Sequence, residues 1–211
     1  YSMVFSSITF LFRFLPIFMI LYFVTPRRIR NIILFLGSLF FYAWGEPKYI
    51  LLMLLSIFLN YLFGISLGAS KGKGKKRLLL ILCLGVNLGL LGYFKYFNFA
   101  AELVNFLMGK EQISLKEISL PIGISFYTFQ ALSYVIDVYR DDISVQRNPL
   151  YLALYISFFP QLIAGPIVKY HDIEAQIASR YTNLTMQAYG IKRFSYGLGK
   201  KVILANTFAQ A

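Results

Sequence analysis

The sequence predicts an all-α membrane protein: a polytopic bundle of transmembrane helices with short interfacial or re-entrant helices and a broken helix near residues 159–166. Hydrophobic residues make up 58% of the 211-residue chain and charged residues only 14%, whereas soluble domains have roughly 25% charged residues. The apolar residues form runs about as long as a bilayer core requires. The basic residues cluster in short loops between these runs, a pattern that fixes membrane orientation.

We treat residues 1–211 as the N-terminal portion of one multi-span membrane domain and expect Met3 to be its natural start. The first apolar run is predicted to be a retained helix rather than a signal peptide, because no basic segment precedes it and arginines follow it. The apolar pieces within residues 95–120 are too short to span and are expected to lie at the outer interface. The predicted spans are residues 8–24, 31–44, 49–67, 78–94, 122–139, 149–168 with a break, and one more starting near residue 196.

Two basic loops, at residues 27–30 and 71–77, orient the chain. Positively charged loops favour the cytoplasmic side, which predicts an extracytoplasmic N-terminus. Arg13 lies close enough to the start of the first span for its guanidinium group to reach the interface. The net charge of +12 would suggest nucleic acid as the partner of a soluble chain. Here no basic stripe is interleaved with exposed aromatic residues, so the predicted partner is the lipid bilayer and not nucleic acid.

Three residues inside apolar runs have mainly structural interpretations. Cys83 is the single cysteine, which permits neither an internal disulfide framework nor a cysteine-rich metal site, and we predict no bound metal. Asn60 and Asn87 lie deep in the third and fourth predicted spans. They are expected to hydrogen-bond across helices, with a substrate contact as the alternative.

Residues 148–172 are interrupted twice within apolar sequence. Asn148 is predicted to cap a helix that has Pro149 at its first position. That helix is predicted to break at residues 159–161 and again at residues 165–166. Lipid cannot provide partners for the freed backbone groups, so the segment must be buried in protein or line a wet cavity. The candidate passage-lining residues at the two breaks are Pro160, Gln161, Gly165 and Pro166.

Polar side chains recur along one face of the preceding span, residues 122–139. They are Tyr127, Gln130, Tyr134 and Asp137, at intervals of three or four residues, the spacing of one helical face. The sequence leaves two interpretations open. Polar side chains join membrane helices through hydrogen bonds, and they also border hydrated passages. Under the second interpretation, Tyr127, Gln130 and Tyr134 line a passage.

Five segments, in order along nearly the whole chain, carry a family resemblance. They read MVFSSITFLFRFLPIF, RNIILFLGSLFFYAWGEPKY, PIGISFYTFQALSYVIDVYR, FFPQLIAGPIVKYHDI and GLGKKVILANTFA. Together they resemble the membrane-bound O-acyltransferase family. The likeness is greatest to its bacterial branch, typified by the membrane subunit of alginate O-acetylation.

The resemblance implies an O-acyltransferase of the bacterial cytoplasmic (inner) membrane. Such an enzyme passes an acyl group, usually acetyl, from a cytoplasmic thioester to hydroxyl groups of an extracytoplasmic polysaccharide or to a partner acetyltransferase. The implied donor is acetyl-CoA or another acyl thioester, and no covalently bound cofactor is expected. A base near the acceptor hydroxyl takes its proton as the oxygen attacks the thioester carbonyl.

The resemblance also assigns the catalytic role to a membrane-embedded histidine in the later half of the family. That residue is expected beyond Ala211, so no catalytic residue is assigned within residues 1–211, and this portion alone is expected to be inactive. His171, the only histidine, belongs to the GPIVKYHD motif rather than to the family's catalytic segment. We expect it to have a structural role, with a catalytic role as the alternative.

Two functions of other classes remain open at this point. A transporter or channel subunit would also contain a broken helix and a polar stripe. A noncatalytic membrane scaffold could recruit the proteins of an acetylation complex. A histidine within an apolar helix further along the reading frame would favour the acyltransferase, whereas an inverted internal repeat, which residues 1–211 lack, would favour a transporter.

Overall fold

The computed structural model describes residues 7–108, 118–162 and 168–208. Every regular element in these ranges is helical, which confirms the all-α prediction. Short π-helical or 3-10 turns adjoin several of the helices, at Phe10–Phe14, Arg27–Ile29, Pro47–Tyr49 and Lys200–Ala205. The α-helices are α1 (Leu15–Val24), α2 (Arg30–Gly45), α3 (Ile50–Ala69), α4 (Lys73–Met108), α5 (Ile124–Tyr139), α6 (Pro149–Ser157), α7 (Phe159–Leu162), α8 (Tyr170–Ala178), α9 (Leu184–Gly199) and α10 (Asn206–Phe208).

Two helical segments of the described chain, Pro47–Ala69 and Lys73–Met108, are long and apolar enough to cross a bilayer. Phe10–Val24 is equally apolar in character but shorter. Large hydrophobic side chains such as Leu51 and Phe58 are exposed on the outside of the bundle, where a bilayer would cover them. These features indicate a membrane protein. The number of crossings and the orientation stay predictions.

Helix α4 is longer than the sequence predicts. It runs for 36 residues, about 54 Å at 1.5 Å per residue, and therefore extends well past the predicted span of residues 78–94. The expectation of short separate pieces from residue 95 onward is wrong for residues 95–108. No proline or glycine lies between Lys95 and Met108, and single charges such as Glu102 do not interrupt a helix. Residues 109–117 lie outside the described ranges.

Helix α3 packs against α4, α5 and α6, while α2 packs against α1, α6 and α7. The α3–α4 contact contains a reciprocal amide pair. Asn60 Nδ2 donates to Asn87 Oδ1 at 2.9 Å, and Asn87 Nδ2 donates back to Asn60 Oδ1 at 3.1 Å. Both residues are buried. The predicted hydrogen bonding across helices is therefore confirmed for this pair.

The ends of the bundle are joined by polar contacts. At one end, the Lys76 ammonium group lies 2.8 Å from a carboxylate oxygen of Asp141, which holds the first turn of α4 next to the loop that follows α5. Most of the predicted basic loop at residues 71–77 thus belongs to α4, which begins at Lys73. At the other end, Asn98 exchanges two hydrogen bonds with the backbone of Ile118. The two ends of the bundle, which are predicted to lie on opposite sides of the bilayer, are thus each held together by a polar contact.

Helix α9 lies apart from this packing. It has no buried residue, and large apolar side chains such as Leu184 and Ile191 are exposed. Its N-terminus is capped by Asn183, whose side chain accepts a hydrogen bond from the backbone of Met186. The predicted span starting near residue 196 therefore begins within α9 and continues into the turn Lys200–Ala205, against which α9 packs.

Candidate functional site

The break in the sixth predicted span falls between α6 and α7. Asn148 accepts a hydrogen bond from the backbone of Leu150 at 3.0 Å and Pro149 is the first helical residue, which confirms the predicted helix start. Helix α6 ends at Ser157, and Phe158 has a non-helical backbone. The break therefore precedes Pro160, which sits in the first turn of α7. Proline clashes with the carbonyl four residues earlier, so the first helix must end before it.

Two neighbouring helices replace the hydrogen bond lost at this break. In an uninterrupted helix, the backbone N–H of Phe159 would donate to the carbonyl oxygen of Tyr155. Here Gln130 Nε2 donates to that carbonyl at 2.6 Å. The Phe159 N–H instead donates to the hydroxyl of Ser38 on α2, at 3.2 Å. Both freed backbone groups are thus satisfied within the protein, as a low-dielectric environment requires.

Beyond the break, the chain returns toward the start of α6. The hydroxyl of Tyr155 donates to the carbonyl of Val168 at 2.9 Å. Gln146, which precedes α6, donates through its side chain to the hydroxyl of Tyr170 at 2.6 Å. Burial raises the pKa of the Tyr170 phenol above its ordinary value. Gln146 and Tyr155 therefore hold the segment from Val168 to Tyr170 against α6, and its predicted re-entrant character stays a prediction.

The polar stripe on α5 is buried inside the bundle, and its middle members have structural partners. Gln130 bridges the break in α6. The hydroxyl of Tyr134 accepts a hydrogen bond from the backbone N–H of Gln146 at 3.0 Å, and its ring meets the Tyr170 ring edge-on at 5.3 Å. The first of the two interpretations of the stripe, hydrogen bonding between elements, therefore describes Gln130 and Tyr134.

Other polar groups in the same region have no partner. Among the described residues, the side-chain N/O atoms that are buried without a hydrogen bond are the hydroxyls of Tyr42 and Tyr127, Asp137 Oδ2 and Gln161 Nε2. The hydroxyls of Tyr42 and Tyr127 are near enough to act on each other, although neither has a partner in hydrogen-bond geometry. A buried polar group without a partner is costly, about 1–3 kcal/mol, and such exceptions occur at functional sites or next to unobserved ligands and waters.

We call three of these residues, Tyr42, Tyr127 and Gln161, the unpartnered polar groups; Asp137, near the end of α5, is not included in the name. These residues come from α2, α5 and α7. The start of α5 and the end of α7 are in close contact: a Cβ atom added to Gly123 would lie 3.0 Å from the carbonyl oxygen of Leu162. Gly123 has φ +77°, which favours glycine. This left-handed residue starts α5 one turn before Tyr127 and leaves room for α7.

The remaining predicted site residues are placed as follows. Gly165 and Pro166 lie outside the described residues. His171 is in the first turn of α8, with more than half of its side chain exposed, and its Nε2 atom is 2.8 Å from Asp172 Oδ1. Within the described ranges, His171 forms no hydrogen bond or ion pair with the unpartnered polar groups. These ranges contain no group of three or more His, Cys, Asp or Glu residues arranged to hold a metal.

Sequence reasoning missed Tyr42 and Ser38. Both lie in the second predicted span, where a tyrosine resembles an interfacial aromatic residue and a serine resembles a small packing residue. The signal that could have found them is their spacing of four residues, which puts them on one face of α2. That face meets the break between α6 and α7.

Curated relatives support a specific class of protein. The chain is 43% identical over 211 residues to the probable alginate O-acetylase AlgI of Pseudomonas putida, a match covering 98% of this chain and 44% of the relative. It is 42% identical over 212 residues to the probable alginate O-acetylase AlgI of Pseudomonas aeruginosa, covering 98% of this chain and 41% of that relative. It is 36% identical over 242 residues to the peptidoglycan O-acetyltransferase of Helicobacter pylori, covering 99% and 46%.

These relatives define a class of O-acetyltransferases. Over nearly its whole length the chain is similar to alginate O-acetylases, which are members of the membrane-bound O-acyltransferase family, and this similarity confirms the resemblance. It spans less than half the length of the curated relatives described above. No family model and no solved structure matches the chain.

Proposed function

We propose that this chain forms part of a membrane O-acetyltransferase that moves acetyl from a cytoplasmic thioester to hydroxyl groups of an extracytoplasmic polysaccharide, and that the unpartnered polar groups line its transfer passage. The observation that carries the proposal is the set of buried hydroxyl and amide groups left without partners beside a broken helix. Kinship with proteins named as acetylases of alginate and peptidoglycan supports the reaction class.

The reaction needs a polar, water-poor route through the bilayer. The acceptor oxygen attacks the thioester carbonyl carbon, its proton passes to a base, and the thiolate leaves. Tyr42 and Tyr127 can each donate a hydrogen bond, and Gln161 Nε2 can donate two. Donors that are already fixed and unpaired can bind a carbonyl or hydroxyl oxygen without first breaking a protein hydrogen bond.

The partnered groups near the break have a different part in this proposal. Gln130 and Ser38 satisfy the backbone where α6 stops, and Tyr155 and Gln146 hold the returning segment. These contacts keep α7, and with it Gln161, beside α2 and α5. They are positioning residues, whereas Tyr42, Tyr127 and Gln161 are proposed to contact substrate.

The proposed arrangement in the membrane follows the basic loops. The N-terminus would be extracytoplasmic and the loop at residues 71–77 cytoplasmic, in the inner membrane of a bacterium. The donor would then approach from the end of the bundle that holds the Lys76–Asp141 ion pair. The catalytic histidine of the family would come from outside residues 1–211.

The direct test is acetyl transfer in proteoliposomes containing the protein encoded by the complete reading frame. Radiolabelled acetyl-CoA is supplied on one face, and acetylation of a glycan or a hydroxyl acceptor is measured on the other. We expect transfer by the complete protein and none by residues 1–211 alone. Turnover by residues 1–211 that disappears in His171→Ala would contradict this and make His171 catalytic.

A further inference from the structure

The guanidinium groups of two arginines lie over the same aromatic ring at an end of the bundle. The guanidinium carbon of Arg30, at the start of α2, lies 5.1 Å from the centre of the Tyr22 ring. The guanidinium carbon of Arg180, after α8, lies 6.0 Å from the same ring. We call Tyr22, Arg30 and Arg180 the Tyr22 cluster. This cluster brings two permanently charged guanidinium groups, from distant parts of the chain, next to one tyrosine ring.

Local contacts fix both guanidinium groups. Arg30 donates to the carbonyl of Thr25 at 3.1 Å and to the carbonyl of Phe23 at 3.4 Å. Arg180 Nη2 donates to Asn31 Oδ1, and Asn31 Nδ2 in turn donates to the carbonyl of Ile177 at 2.9 Å. A guanidinium group has five N–H donors. Each arginine is therefore held in place and still has donors to offer.

No carboxylate neutralises this charge in the described part of the chain. The ion pairs found there are Lys76–Asp141 and His171–Asp172. Glu174, the other acidic residue of α8, forms no ion pair among the described residues. Two fixed guanidinium groups without a carboxylate form a site suited to an oxyanion, and the fork geometry of arginine fits phosphate especially well.

An apolar groove begins beside the cluster. It has a volume of about 630 Å³ and lies between α1 and α2, with Leu21 and Ile33 at one end and Trp44 at the other. Leu21 is adjacent to Tyr22, and Ile33 is one turn from Arg30. From Ile33 to Trp44 the helix rises about 16 Å at 1.5 Å per residue, close to the ~15 Å that one leaflet of a ~30 Å hydrocarbon core provides.

We propose that this surface binds one anionic phospholipid, with its headgroup phosphate at Arg30 and Arg180 and an acyl chain in the α1–α2 groove. The positive charge of the cluster complements the negative charge of the phosphate, and the length of the groove fits the acyl chain of a lipid. Because Asn31 connects Arg180 to α8 and α2, the bound lipid would also fasten the end of the re-entrant segment. The proposal stands independently of the acetyl-transfer function.

The test is lipid binding by the purified full chain in detergent, measured by native mass spectrometry with phosphatidylglycerol and with phosphatidylcholine. We expect preferential binding of phosphatidylglycerol, weakened roughly tenfold or more in Arg30→Gln and in Arg180→Gln, since each variant removes a charge-assisted contact. Arg193→Gln is the matched control, because Arg193 also lies over a tyrosine ring but belongs to α9. This variant should bind phosphatidylglycerol as the wild type does.

Arg180→Lys separates charge from geometry and keeps the test valid if a glutamine variant folds poorly. It should recover part of the binding, because a lysine keeps the charge but not the fork. Equal affinity for both lipids, or unchanged binding in both glutamine variants, would overturn the proposal. A loss of binding in Arg13→Gln but in neither of the other glutamine variants would also overturn it, since Arg13 lines the opposite end of the groove. Inorganic phosphate or coenzyme A that displaced the lipid with equal affinity would overturn it as well.

Discussion

The side-chain amide of Gln130 donates a 2.6 Å hydrogen bond to the carbonyl oxygen of Tyr155, the acceptor that the Phe159 N–H would use if α6 continued. A side chain from α5 thus substitutes for a helical backbone bond at the point where the helix stops. This substitution lets α7 turn away from the axis of α6 without leaving an unsatisfied carbonyl, and it places Gln161 beside α2 and α5.

Replacing Gln130 should weaken the fold around the break. We expect Gln130→Leu to destabilise the protein by about 1–3 kcal/mol, because the buried carbonyl of Tyr155 would lose its partner. Thermal unfolding in detergent measures the change, and Gln176→Leu on the exposed face of α8 is the control. An equal melting temperature for Gln130→Leu and wild type would show that the carbonyl finds another partner.

The amide pair of Asn60 and Asn87 should behave as a coupled unit. Each single leucine substitution leaves the other amide without its reciprocal partner, at a loss of about 1–2 kcal/mol. The double substitution should lose less than the sum of the two, because it removes both polar groups together. A double-mutant cycle on the free energy of unfolding measures this coupling, and strictly additive losses would contradict a direct pair.

Two helical glycines should respond to alanine in opposite directions. A Cβ at Gly64 would lie 2.9 Å from the Tyr134 ring, whereas a Cβ at Gly85 has no atom within 4 Å. Gly64→Ala should therefore lower the melting temperature by forcing Tyr134 to move. Gly85→Ala should raise stability by about 0.5–1 kcal/mol, because alanine favours the helix. The same sign for both variants would rule out the close contact of α3 with α5.

The predicted orientation can be tested with single cysteines. Cys83 is buried, so the wild-type protein should not react with a membrane-impermeant maleimide. Lys48→Cys should be labelled in intact cells, because it lies in the predicted outer connection. Lys73→Cys, at the start of α4 in the segment predicted to be cytoplasmic, should be labelled only after the membrane is opened. Labelling of Lys73→Cys in intact cells would reverse the assigned orientation.

Local patterns in the sequence were sufficient to predict several features of the break. Asn148 and Pro149 predict the start of α6, and Pro160 predicts an interruption, since both depend on the stereochemistry of nearby residues. The exact end of α6 was not predictable, because it depends on Gln130, which donates to the freed carbonyl of Tyr155, and on Ser38, which accepts from the freed N–H of Phe159. Those partners lie 25 and 121 residues away in sequence.

Other features depend on contacts that one sequence does not reveal. Tyr42 and Tyr127 are neighbours only because α2 and α5 both pack around α6 and α7. The long continuation of α4 depends on the absence of proline and glycine from residues 95–108, which has more influence on the helix than the scattered charges there. The Tyr22 cluster joins residues that are 150 positions apart and has no local motif.

The claim that Tyr127 and Gln161 contact substrate is tested most directly by separating activity from stability in the protein encoded by the complete reading frame. Tyr127→Phe removes a buried hydroxyl that has no partner, so the melting temperature should stay the same or rise. The rate of acetyl transfer should fall roughly tenfold or more, with Tyr196→Phe on the exposed α9 as the unaffected control. A wild-type transfer rate in both Tyr127→Phe and Gln161→Leu would contradict the account.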